Sequence, residues 1–183
     1  INASNLVQNI PAGVQNFEQA VSYLFAGETY FNIKTPTYPL GEIRGQIGPF
    51  RMKSVLLADN VVPRATNTGF ANGSFTLNFN ASQTEIVTNL IGDSLISNPT
   101  SANIKIGESD QVGNILFNLS RGANVPSLNV FSVLDLNDLN SNAASVGISK
   151  FTDVVRLIER QSAYVEIITF NHATGILRGQ IVP

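Results

Sequence analysis

Apolar residues recur with a helical rhythm at two places in the chain. Phe17, Ala20, Val21 and Leu24 fall at i, i+3, i+4 and i+7, and Phe151, Val154, Val155 and Ile158 repeat that spacing. Each set lines one face of an amphipathic helix of two or three turns. Elsewhere the rhythm shortens to that of strands. "TYFNIKT" and "AYVEIIT" follow the two helices, and each leads through a turn holding Pro or Asn-His into a closing strand. In the first closing strand Glu42, Arg44 and Gln46 share one face, and Ile43, Gly45 and Ile47 share the other. Between the copies, residues 50–149 read as "MKSVLLA", "SFTLNFN", "EIVTNLI", "NIKIGE", "NILFNLS" and "NVFSVLDL", parted by turn signals at Asn72-Gly73, Asn98-Pro99 and Gly107. So many short strands predict a mainly β fold, an antiparallel sandwich or barrel with one short helix per repeat.

The two helix-strand-strand segments are one motif written twice. "GEIRGQI" at residues 41–47 and "GILRGQI" at 175–181 align at an offset of 134 residues, and the match extends backwards without a gap. Phe17 pairs with Phe151, Val21 with Val155, Tyr30 with Tyr164, Ile33 with Ile167 and Thr35 with Thr169. Gly41, Arg44, Gly45 and Gln46 pair with Gly175, Arg178, Gly179 and Gln180. Solenoid periods run at roughly 20–50 residues, so a period this long marks duplicated whole domains. Residues 17–47 and 151–181 are expected to share one local structure.

Composition narrows the function classes. Charged residues are only 13% of the 183, against 21 Asn, 16 Ser and 12 Thr, so the surface is mainly neutral and polar. The 11 basic residues are scattered and the net charge is −2, which excludes the basic stripe that nucleic acid requires. No apolar run reaches the length of a helical membrane span. With no cysteine there is no disulfide, thiolate nucleophile or Cys-ligated zinc. The chain starts at Ile1 without a basic n-region or apolar h-region, the expectation for a processed chain or a fragment. Both termini are expected to be held by contacts.

"FAGETYFNIKTPTYPLGEIRGQI" resembles the closing segment of a CHRD (chordin-type) domain: a short helix, a Tyr-x-Asn strand, then Gly-Glu-x-Arg-Gly-Gln. The second copy is similar, with Glu166 in place of the Asn and Ile176 in place of the Glu, and "TSANIKIGESDQVGNILFNL" resembles the mid-domain stretch. The resemblance implies one complete CHRD-like domain at residues 49–183, and at residues 1–48 the C-terminal segment of another. It further implies a secreted immunoglobulin-like β-sandwich with no established enzymatic activity. Two departures stand out. The family often carries His-x-His where this chain has Asn103 and Lys105, and a His before Thr where it has Lys34 and Ile168.

Candidate chemistry is sparse. His172 is the single histidine, and a metal site needs three or four convergent ligands, so it reads as a turn residue. Asp135 and Asp138 lack the regular oxygen spacing and closing Glu of an EF-hand loop. The Arg and Gln of the repeated motif read as bonds to a neighbouring loop, with its Gly permitting close backbone approach. Sequons lie at Asn2, Asn72, Asn80 and Asn118. Roughly three are expected by chance, and Asn72, read as a turn residue, is the best glycosylation candidate and Asn118, in a strand, the weakest. The expectation is a non-catalytic, extracellular structural protein without cofactor or metal. Its partners would be other copies of itself, joined head to tail through the incomplete N-terminal domain, and glycans in second place. The alternative is an extracellular binding module for a protein or glycan, for which the four Tyr and absent Trp supply few platform residues.

Overall fold

A computed structural model describes residues 14–47, 51–80, 83–120 and 127–183. The sequon at Asn2, the expectation for the N-terminus and the boundary at residues 48/49 fall outside the described residues. The first copy forms helix α1 (Phe17–Ala26) and a hairpin of β1 (Thr29–Ile33) and β2 (Ile43–Ile47). Asn16 caps α1, its side-chain oxygen accepting the Gln19 N–H at 2.9 Å. Gly27 closes it in the left-handed region at φ 76°.

The remaining strands make one antiparallel sheet. They are β3 (Arg51–Leu57), β4 (Asn72–Phe79), β5 (Ile86–Asp93), β6 (Pro99–Ile106), β7 (Ile115–Ser120), β8 (Leu128–Leu134), β9 (Ala163–Thr169) and β10 (His172–Gln180), with α2 (Phe151–Glu159) before β9. Their order across the sheet is β7-β6-β9-β10-β3-β4-β5-β8. The sheet curls into a nearly closed barrel. Beyond β8 the chain returns to β7, where Leu139 bridges Phe117 and the Asn140 N–H donates to the Leu116 carbonyl at 2.9 Å. That return covers an edge which would otherwise stand open. Of the sandwich-or-barrel expectation, the barrel form is the one adopted.

Period-2 alternation builds the core. In β3, Met52, Ser54 and Leu56 point in while Arg51, Lys53, Val55 and Leu57 point out. Phe75, Leu77, Ile86, Leu90, Ile104 and Ile167 join that interior from other strands, and each large side chain so buried contributes about 1.5–3 kcal/mol. Helix α2 adds Phe151, Val154, Val155 and Ile158, the residues its spacing selects. Two turn signals are corrected. Asn72-Gly73 opens β4, pairing with Asp93 and Gly92. A Cβ on Gly73 would lie 2.7 Å from the Ile91 carbonyl oxygen, so the glycine serves close strand approach. The turn lies upstream, where Asn67 and Gly69 take positive φ. Pro99 begins β6, a place where a missing N–H is tolerated.

Candidate functional site

The offset of 134 holds in the pairing register. Asn32 faces Arg44 and Tyr30 faces Gln46, while Glu166 faces Arg178 and Tyr164 faces Gln180. The glycine of the turn takes positive φ in both, 137° at Gly41 and 113° at Gly175. An arginine stacks on a tyrosine ring in both, Arg44 on Tyr30 at 3.8 Å and Arg178 on Tyr164 at 3.6 Å. The glutamine ties its strand back to the end of the preceding helix. Gln46 Nε2 donates to the Gly27 and Thr29 carbonyls at 2.6 and 2.7 Å, and Gln180 Nε2 donates to the Gln161 carbonyl.

In the second copy this polar face is buried. Alternation turns Tyr164, Glu166, Arg178 and Gln180 away from the apolar interior, and the β6–β7 connection covers them. Arg178 Nη2 donates to the Glu108 carbonyl at 2.6 Å, and Gln180 Nε2 to the Gly107 carbonyl at 2.9 Å. Tyr164 Oη accepts the Gly113 N–H at 3.2 Å, and Lys105 Nζ donates to Glu166 Oε2 at 2.7 Å. On the opposite face an added Cβ at Gly179 would run into Ser54 Oγ and the Val55 carbonyl, so only glycine lets β10 and β3 approach this closely. Lys105 compensates the Glu166 carboxylate, and hydrogen bonds engage most of the buried polar atoms, while Arg178 Nη1 and Gln180 Oε1 are buried without a partner among the described residues.

In the first copy both faces lie open. Tyr30 is 50% exposed where Tyr164 is 0%, and Ile43 is 55% exposed where Leu177 is 0%. Phe31 and Ile33 are half-exposed as well, and the four apolar positions of α1 are only partly buried, whereas their counterparts in α2 are buried. Neither β1 nor β2 joins the eight-stranded sheet. In the second copy β9 pairs with β6 and β10 with β3, whereas among the described residues no strand pairs with either edge of the hairpin. A groove of about 230 Å³ runs past Tyr30, Asn32, Gly41 and Arg44. Phe31 lies against Gly45, on the face where β3 approaches Gly179 in the complete copy.

The other candidates take structural positions. His172 begins β10, its Nε2 2.9 Å from the Thr66 carbonyl oxygen and its Nδ1 3.4 Å from Thr169 Oγ1. Asp135 and Asp138 cap one 3-10 turn reciprocally, Asp135 Oδ1 accepting the Asn137 N–H and Asp138 Oδ2 the Asp135 N–H. Among the described residues no three His, Cys, Asp or Glu converge as a metal site. Asn72 is exposed on β4, with its amide donating to the Phe70 carbonyl, and Asn118 is exposed on β7. Asn80 is half-buried; its amide is spent within its own turn, bonded to Thr84 and Glu85. Sequence reasoning missed the Lys105–Glu166 pair. Both residues were visible as separate departures, and two opposite charges in a chain so poor in charge were the available signal.

No curated protein and no solved structure matches the chain. The family model described as the CHRD domain matches residues 2–47 and again residues 52–181. Those spans contain both repeated hairpins, and the longer contains the eight-stranded sheet but for Arg51. The chain thus belongs to the CHRD domain family, whose domains are typically extracellular modules.

Proposed function

We propose that this is a non-catalytic, extracellular structural module whose N-terminal hairpin takes its covering strands from a neighbouring molecule. The observation that carries this reading is the open face of β1–β2 and its edges, unpaired among the described residues, set beside the covered β9–β10 of the same register. A two-stranded hairpin with one short helix is marginal alone, and exposed strand edges recruit further strands. Strand addition of this kind gives affinity through main-chain hydrogen bonds and specificity through alternate side chains. Between copies of one polypeptide the contact is heterologous, so it propagates head to tail into a ring or a filament. In this reading residues 1–48 are the C-terminal segment of one CHRD domain and residues 49–183 a complete one. Arg44, Gln46, Arg178 and Gln180 serve structure, and no cofactor takes part.

The mass of the native particle tests the reading. The full chain is expected to sediment as multiples of 19.7 kDa, and the chain starting at residue 49 as a monomer. A full chain that stays monomeric at every concentration, with residues 14–47 resistant to protease, contradicts it. Asn72 is the proposed glycan site, since its side chain is exposed and only lightly engaged. Secretion from a eukaryotic cell should then add one glycan that Asn72→Gln removes.

A second reading, a module that binds glycans, draws on a polar groove of about 570 Å³ between Asn118, Asn137, Asp138 and Asn140. Amide side chains of this kind hydrogen-bond sugar hydroxyls. Titration with oligosaccharides would shift the amide resonances of residues 137–141 if this groove is used, and leave them fixed if it is not.

A further inference from the structure

If Asn72 carries a glycan, as proposed above, the surface around it decides how the first sugar sits. The chain alternates at the start of β4. Ala71 packs against the core, and a Cβ on Gly73 would point at Leu56 and Leu177. Phe70, Asn72 and Ser74 are therefore turned outward, and all three are exposed. The asparagine and the hydroxyl residue of the sequon thus share one surface with an aromatic ring two positions upstream. Phe70 is 92% exposed. A single exposed apolar side chain is ordinary on a protein surface, but the backbone holds this one in place. The Ala71 N–H donates to the Thr68 carbonyl at 3.3 Å, closing a turn with Gly69 and Phe70 at its centre. Asn72 Nδ2, the atom that takes the sugar, donates to the Phe70 carbonyl at 3.1 Å. Across the sheet Asn72 stands between Leu57, 44% exposed, and Asp93.

Transfer joins Asn72 Nδ2 to C1 of the sugar. The bond from C1 to the pyrophosphate of a lipid-linked donor breaks, and the amide gives up one of its two protons. The other N–H remains for the Phe70 carbonyl. A pyranose presents C–H bonds on one face, and the negative face of an aromatic ring attracts them. Its hydroxyls stay available to water and to the Asp93 carboxylate. We infer that Phe70 is the platform on which the first sugar of the Asn72 glycan stacks, with Leu57 extending the apolar contact. The other described sequons have no such ring. Leu116, two positions before Asn118, is buried, and Phe79, next to Asn80, packs against the core.

The test is a double-mutant cycle on the full chain secreted from a eukaryotic cell, its glycans trimmed by an endoglycosidase to one N-acetylglucosamine. The parent, Phe70→Ala, Asn72→Gln and the double variant are unfolded in urea at one protein concentration. Peptide mass spectrometry establishes the sugar on Asn72, and the glycosylated fraction is the one measured. With Phe70 present, the sugar is expected to lower the unfolding equilibrium constant about threefold to tenfold, and with Phe70→Ala to leave it unchanged. The same four chains made in a bacterium, without the sugar, are expected to show no coupling between the two positions. A glycan effect that survives Phe70→Ala, no glycan effect in the parent, or equal coupling without the sugar overturns the inference and leaves Asn72 standing as a glycan site. No sugar on Asn72 in the parent overturns both.

Discussion

Arg44 and Arg178 occupy the same place in the same motif, yet they do different amounts of structural work. Arg178 is 1% exposed, stacked on Tyr164 and bonded to the Glu108 carbonyl. Its replacement by alanine removes a desolvated cation–π contact and a charged hydrogen bond, and should cost about 3–4 kcal/mol. Arg44→Ala loses a similar stack in water and should cost less than about 1 kcal/mol. Urea unfolding of the two variants checks the contrast; equal losses would mean that the first copy is covered as the second is. A second pair of equivalent residues gives a prediction of opposite sign. Gly27 and Gln161 both end their helices at positive φ, 76° and 60°. Glutamine pays about 1 kcal/mol for a conformation that glycine takes freely. Gln161→Gly should therefore raise stability by about 0.5–1 kcal/mol in the same assay, despite the greater freedom glycine gives the unfolded chain.

At the level of elements, helix α2 begins where the Ser149 and Lys150 N–H groups donate to the Asp153 carboxylate at 3.2 and 3.0 Å. The Ser149 bond first and the Lys150 bond second hold that carboxyl below its ordinary 3.8, with help from the charges of Arg156 and Lys150. A depressed carboxyl stabilises the fold above its unfolded pKa, and the contribution fades as pH falls through the folded value. Asp153→Asn should thus be less stable than the parent from neutral pH down to about 4, and the two should converge below it. A constant difference across pH would assign the effect to shape and not to charge. Both helices and the six middle strands were legible in the chain because each rests on local periodicity. Asn72-Gly73 misled for the opposite reason: its role is close packing against Ile91, a contact 18 residues away in sequence. The closure of β7 by Leu139, the loop over Arg178 and the Lys105–Glu166 pair 61 residues apart are likewise products of long-range pairing, on which period and propensity are silent.

For the whole molecule, the two copies of one motif form an internal comparison: one hairpin with strands on both sides in the eight-stranded sheet, the other with its edges unpaired among the described residues. The repeat made the kinship of the hairpins visible in the sequence. Their difference in cover was not, because the residues that bury Tyr164 and Arg178 come from β6 and the turn after it, outside the motif. The central claim is that the free hairpin is an acceptor, ordered fully only when a neighbour supplies strands. Amide hydrogen exchange on the full-length chain tests it most directly, with residues 163–181 as the internal standard for residues 29–47 at the same register. In dilute solution the amides of 29–33 and 43–47 should exchange at least about a hundredfold faster than their counterparts, since unpaired edges open locally at little cost. Raising the protein concentration should slow them towards the standard while residues 163–181 stay unchanged. Protection of residues 29–47 equal to that of residues 163–181 at every concentration would contradict the account.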